Sequence, residues 1–284
     1  MTKSIKLARN EIRDFIFSRR TIILIYSFII LTEDITERMK TVSKETGMKI
    51  GRTESFLLIV TDIRLSVVMP LVFAVILSDF PRQNGGQTFS ILRLGRRKWF
   101  LGQIIYASGA ALFYQLMMLF GSMIWLGKSG ILTGSWSSYM TELYEFYPEV
   151  YLGNNHLFIP ENVVTQGKPT IVLLHSIGLL TLYMVLMVQI ISLFYFLGKR
   201  YVGVVVSIII VFLGRASIGY DRIKWVFPMA HTLYGEHFHT FYSGTECELY
   251  FSYGYFVVLN IILFLINLVL CQDLVQIKMG DFSS

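Results

Sequence analysis

Ionisable side chains inside long apolar runs are where chemistry is first sought, and this sequence has three of them, Asp62, Arg64 and Arg215. Charges in such places are costly, face a partner or a water-filled path, and mark function by default. At a helical rise of about 1.5 Å per residue, Asp62 lies roughly 22 Å from the Leu77 end of its run, and Arg215 roughly 21 Å from Tyr201. The two opposite charges reach nearly the same level, so the expectation is an Asp62–Arg215 pair, with Arg64 facing the pathway or the outer headgroups. Snorkelling of all three to the surface is the plainer alternative. A second group, His231, Glu236, His237 and His239, follows Pro228. Its spacing does not match a helix that sets two His four apart around a Glu to bind zinc. The expectation is a polar, partly solvated turn and no metal. Gly121 to Ser129 has five residues between its glycines where a phosphate-binding loop has four, and it ends an apolar run instead of following a strand. No Gly-x-Ser-x-Gly elbow or Cys/His nucleophile arrangement occurs.

These residues sit in a chain of 284 residues, 54% hydrophobic and 15% charged, with a mean hydropathy of +0.57. Soluble domains carry roughly 25% charged residues, so a disordered chain is excluded and an ordinary soluble enzyme disfavoured. Trp99–Gly127, Ile171–Leu197 and Phe251–Gln272 contain no Asp, Glu, Lys or Arg. Each exceeds the roughly 20 apolar residues that a membrane-crossing helix needs. The reading is an all-α polytopic membrane protein forming a single domain over 1–284, with six spans at about 15–31, 56–77, 99–127, 171–197, 201–218 and 251–271. The first span is clean only from Thr21 to Leu31, so it requires either Arg19 and Arg20 snorkelling or a helix that continues past Glu33 and Asp34. The inner segments 1–20, 78–98, 198–200 and 272–284 hold 14 Lys and Arg in 57 residues, and the outer segments 33–55, 128–170 and 219–250 hold 9 in 98. Both termini are therefore expected inside, in the cytoplasm. The net charge of +6 has no polar basic domain behind it to bind nucleic acid. The two cysteines, Cys247 and Cys271, are expected as unpaired thiols.

Three connecting segments carry further pattern. Residues 4–18 place Ile5, Ala8, Ile12, Phe15 and Ile16 on one face and Lys6, Arg9 and Arg13 on another, the pattern of a helix lying in the headgroup plane. A cytosolic helix packed on a partner is the alternative. The outer loop 128–170 follows the outer loop 32–55 and precedes 219–250. It holds Trp136, Tyr139, Tyr144, Phe146, Tyr147 and Tyr151, with Pro148 and Pro160 breaking it. A small outer cap is expected, with its aromatics at the membrane interface or in contact with a substrate. In the inner loop 78–98, Asn84-Gly85-Gly86-Gln87 has the look of an ATP-hydrolase signature, yet no phosphate loop precedes it. Pro81, Gly85 and Gly86 break the chain there. Thr88 to Leu94 then forms a short amphipathic helix showing Phe89, Ile91 and Leu92, beside Arg96, Arg97 and Lys98. Such a helix suits partner docking; a positively charged retention loop is the bland alternative.

Taken in order, several segments resemble the type-2 ABC transporter permeases, the membrane subunits of ABC exporters. Asn10-Glu11-Ile12-Arg13-Asp14 through Ser18-Arg19-Arg20 is similar to the family's elbow helix leading into the first span. Gln87 to Gly102 is similar to its coupling-helix region, and Phe227-Pro228-Met229-Ala230-His231 through Gly235 to the segment between its fifth and sixth spans. The chain departs from the family in having Gln83 and Gln87 where an acidic residue is expected, and in a larger outer loop. The resemblance implies an interfacial elbow helix at 4–18 and a permease that dimerises with a second copy or a homologous permease. It also implies docking of a separate ABC ATPase through Thr88, Phe89, Ile91 and Leu92, with ATP and magnesium on that partner and no cofactor on this chain. The implied location is the cell membrane, in contact with its lipids, and the implied cargo an amphipathic peptide or hydrophobic drug. Lipid or glycolipid export, and a non-transporting sensor or immunity protein, stay open. The implied chain is not catalytic by itself.

Overall fold

A computed structural model describes residues 2–82, 87–239 and 244–280. In chain order its helices begin with α1 (Thr2–Ile16), α2 (Arg19–Thr46), α3 (Glu54–Thr61), α4 (Val68–Ile76), α5 (Gln87–Leu94) and α6 (Arg96–Leu126). A cap follows, built from α7 (Ser138–Thr141), α8 (Leu143–Phe146), α9 (Pro148–Gly153) and α10 (Glu161–Gln166). The chain ends with α11 (Pro169–Phe196), α12 (Arg200–Ser217) and α13 (Leu249–Gly280). Two short strands, β1 (Ile50–Gly51) and β2 (Gly130–Ile131), pair in parallel and tie the segment between α2 and α3 to the end of α6.

Four helices, α6, α11, α12 and α13, are long and apolar enough to cross a membrane, and α1 with α2 makes a fifth if that bent pair is one span. Large apolar side chains also remain on the protein's surface, among them Phe120 and Ile124 on α6, Phe212 on α12 and Leu265 on α13. Exposed oil in bands of this size marks contact with lipid or another protein. This is a helical membrane protein in character.

The centre of the bundle is α11, which packs against α13, α12, α6, α4 and α3. Its sequence is apolar on every side, as suits a helix surrounded by others. On α12, Gly203, Ser207, Val211 and Gly214 are buried at intervals of three or four; Gly203 and Ser207 face α11, and Gly214 faces Met229. A Cβ on Gly203 would sit 2.9 Å from the Cα of Ile191, so only glycine lets the two backbones meet there.

At its start the chain runs farther than its apolar stretch. α1 ends at Ile16, the Ser18 hydroxyl caps the break, and α2 leaves at 61° to run 28 residues, well past Glu33 and Asp34. Of the two alternatives for the first run, the helix that continues past Glu33 and Asp34 is the one found, and it begins at Arg19 instead of 15. The charges of the second half sit on the exposed side, where Arg38 pairs with Asp34 and Lys40 with Glu37, while Leu31, Ile35, Met39 and Val42 are buried.

α1 also sits differently from a helix lying across the spans. Ser4 Oγ donates to Lys98 O, Leu7 covers Gly102, Ile12 covers Gly109, and Phe15 meets Tyr106 and Phe113 edge-on. α1 therefore runs alongside the first half of α6. Its buried face is Ser4, Ala8, Glu11 and Phe15, and Ile5 is left 47% exposed. Lys6, Arg9 and Arg13 are exposed as expected.

The second apolar run is two short helices and not one span of 56–77. The chain leaves helical geometry between Thr61 and Val68. All eight residues of α3 are nonetheless buried. One end of the bundle gathers Ser4, Lys98, Phe100, Phe196 and Gln272. The other gathers Gly51, Glu54, Ile131, Ser137 and Gly167. Residues from three segments rich in Lys and Arg, 1–20, 78–98 and the stretch just after Phe196, thus meet at one end.

Candidate functional site

At the basic end, α5 projects between α4 and α6. Gly95 adopts φ 78°, a left-handed corner that turns the chain from α5 straight into α6. Ile91 is half-buried against the core, whereas Leu92 is 77% exposed and Arg93 lies beside it in solvent. The side chains of Thr88 and Phe89, and the Asn84-Gly85-Gly86 segment, lie outside the described residues. Arg96 donates to the Gln272 carbonyl and Arg97 to the Gln272 side chain at 3.3 Å, fixing this corner to the end of α13.

Two ion pairs join the segment before α5 to the start of the chain. Arg20 at the head of α2 forms a fork with both carboxylate oxygens of Asp79 and also donates to Ile76 O. Arg82 lies 3.6 Å from Glu11, with side chains 6% and 9% exposed, and its guanidinium rests 5.2 Å from the Tyr106 ring centre and 5.8 Å from that of Phe15. Arg82 did not stand out in the sequence, because its partner is 71 positions away.

The charges first singled out do not form the expected pair. Asp62 Oδ1 accepts from the Arg64 and Leu65 backbone N–H groups at 2.7 and 3.1 Å, and Oδ2 from the Arg64 guanidinium at 3.2 Å. Asp62 closes α3 with an Asx turn, and this break is why a constant helical rise misplaces it. Arg215 is half-exposed in the last turn of α12 and has no ion-pair partner among the described residues.

The turn from Pro228 to His237 is buried where a solvated turn was expected. Pro228 is buried, and His231 and His237 are 5% and 0% exposed. His231 Nε2 donates to Trp225 O at 2.8 Å and His237 Nδ1 to Leu233 O at 3.0 Å, since carbonyls only accept. The remaining nitrogens both face Ser252 Oγ, at 2.8 and 2.7 Å, and its one proton serves a single ring at a time. Tyr255 stacks on His231 at 4.1 Å. Nearby, Lys224 lies 2.8 Å from Glu246 and 3.2 Å from Glu236. Burial opposes its charge, but the two carboxylates hold its pKa above the ordinary lysine value. Ser252 itself is fully buried, so the His–Ser–His contact ties loop to helix and offers no access to a substrate.

A pH dependence follows. Burial pushes both imidazoles below their ordinary range, His237 to about 4, against the opposing pull of their carbonyl hydrogen bonds. The folded rings stay neutral while unfolded ones protonate near 6.5, so the stabilisation is full above pH 6.5 and falls as pH drops towards 4. For His237 alone the loss reaches about 3 kcal/mol. Unfolding temperature of the detergent-solubilised protein should fall between pH 7 and 5, and His237→Gln should flatten that slope. A wild-type profile flat over this range would refute the assignment.

One functional residue escaped the sequence reading. Glu54, 1% exposed, accepts from Gly51 N at 2.7 Å, Ser137 N at 2.8 Å and Ser137 Oγ at 2.6 Å. It locks the outer cap to the bundle, helped by Trp136 donating to Gly167 O and Asn162 to Gly235 O. The available signal was a lone carboxylate opening the run Glu54-Ser-Phe-Leu-Leu-Ile-Val-Thr61.

No family profile, curated protein or solved structure matches this chain.

Proposed function

We propose that the chain is the permease subunit of an ATP-driven ABC exporter, carrying an amphipathic peptide or hydrophobic drug across the cell membrane. In this reading α1–α2, α3–α4, α6, α11, α12 and α13 make six crossings, two of them broken, with the basic end and both termini in the cytoplasm. A separate ATPase subunit holds ATP and magnesium, and a second permease copy or a homologue completes the path.

The observation that carries the reading is the placement of α5. It is a short helix at the basic end with an exposed leucine, set at a glycine corner that leads directly into α6. A partner gripping α5 would move the Gly95 corner, and the Arg82–Glu11 and Arg20–Asp79 pairs would pass that movement to α1 and α2. Unequal affinity of the ATPase for two permease conformations then shifts their populations as ATP binds and is hydrolysed.

Leu92→Asp tests it. Leu92 faces solvent, so the change should leave membrane insertion unaltered and stability within about 0.5 kcal/mol of wild type. An apolar anchor at an interface centre contributes about 2 kcal/mol or more, so recovery of the ATPase with the tagged permease should drop more than about tenfold. Undiminished recovery would refute α5 as the docking element.

A further inference from the structure

The cap holds a partly open cavity of about 430 Å³ between α7, α8, α9 and α10, within the size range of small-ligand sites. Its wall is aromatic. Tyr144, Tyr151 and Phe158 follow one another, with ring centres 6.4 and 4.7 Å apart, and Ile159 and Val164 add apolar surface. Its rim carries Glu161. The surroundings have one sign of charge: residues 129–167 contain Glu142, Glu145, Glu149 and Glu161, all exposed, and no Asp, Lys or Arg.

From this we infer that the cap binds cationic amphipathic peptides, taking an apolar side chain against Ile159 and Val164 and a lysine or arginine between the aromatic wall and Glu161. Aromatic faces attract cations through the ring quadrupole, and the acidic cap steers a positive ligand towards the opening. A phosphocholine headgroup offers a cation too, but it brings a phosphate, and residues 129–167 hold no Lys or Arg to meet it, while His156 is not among the residues that line the cavity. The peptide is therefore the occupant the chemistry favours. The inference narrows the cargo of the exporter reading and leans on it for that meaning alone. Binding is measured on the permease without its ATPase, so each can fail while the other stands.

The test uses the full chain in phosphatidylcholine nanodiscs and a fluorescent Lys/Leu amphipathic peptide, with a Glu/Leu peptide of equal length as control. The Lys/Leu peptide should bind saturably, one per chain, beyond what empty nanodiscs take up. Glu161→Lys should weaken it about tenfold or more. Thr165→Trp, placed on an exposed lining residue, should block the cavity without touching charge. Equal binding of the Glu/Leu peptide, or of wild type and Glu161→Lys, would overturn the proposal. So would phosphocholine displacing the peptide at concentrations where choline chloride does not, which would make this a lipid-headgroup site. Unfolding temperatures matching wild type show that the variants are folded.

Discussion

Replacing Arg82 with leucine should cost the protein about 3–5 kcal/mol, the usual penalty for removing one partner of a buried ion pair. The change withdraws a guanidinium from a carboxylate that is 9% exposed, and also removes the cation from the faces of Phe15 and Tyr106. Arg9→Leu, on the exposed side of the same α1, is the matched control and should change stability by less than about 0.5 kcal/mol. The double variant Glu11→Leu/Arg82→Leu should recover much of the loss, because it leaves no charge behind in an apolar setting. Unfolding in detergent measures all four proteins. Equal stability of Arg82→Leu and Arg9→Leu would show that the pair contributes nothing.

Glu54→Ala should be nearly as damaging, for a different reason. It strips the acceptor from two backbone N–H groups and the Ser137 hydroxyl in a site closed to water. Buried donors left unsatisfied cost about 1–3 kcal/mol each, although relaxation and entering water would reduce the sum. The loss should concentrate in the cap, since Ser137 is the residue that opens α7. Limited proteolysis should then cut within 138–166 much faster than in wild type, with the bundle helices still protected. Glu54→Gln keeps one acceptor oxygen and should fall between. A cap equally resistant in Glu54→Ala and wild type would refute Glu54 as its anchor.

Those two residues mark the boundary of what the sequence could say. The long helices were legible because lipid-facing or helix-facing runs exclude charge: 99–127 became α6, 171–197 α11 and 201–218 α12, each within three residues of its ends. α13 was placed equally well at its start but extends past Cys271. The far end of α2 was left open between two alternatives for a physical reason. Its second half is amphipathic, with Asp34, Glu37, Arg38 and Lys40 paired along the exposed face, and a search for charge-free runs stops at Glu33. The break after Thr61 was visible in principle, since Asp62 in a run of apolar residues invites an Asx turn. It was read instead as a charge at a fixed depth, which produced the Asp62–Arg215 pair. On α1, periodicity separated basic from apolar residues correctly but gave no direction for the apolar face. Only contact with Gly102 and Gly109 supplies that.

The functional residues divide along the same line. The exposure of Leu92 on a short helix was legible because an amphipathic pattern between two glycine breaks is a local signal. His231 and His237 were noticed by type, but their burial depends on Ser252 and Tyr255, which arrive with the next helix. Glu11 with Arg82, and Glu54 with Ser137, are pairings 71 and 83 positions apart. No spacing rule joins residues at such separations; the fold does.

A photoreactive amino acid placed at position 92 in living cells reads most directly whether α5 docks an ATP-hydrolysing partner. A cross-link is expected from position 92 to a single ATP-binding subunit, and none from position 116, where Leu116 is 40% exposed on the apolar surface of α6. Cross-links from position 92 to lipid alone, or equal cross-linking of the same protein from both positions, would contradict it.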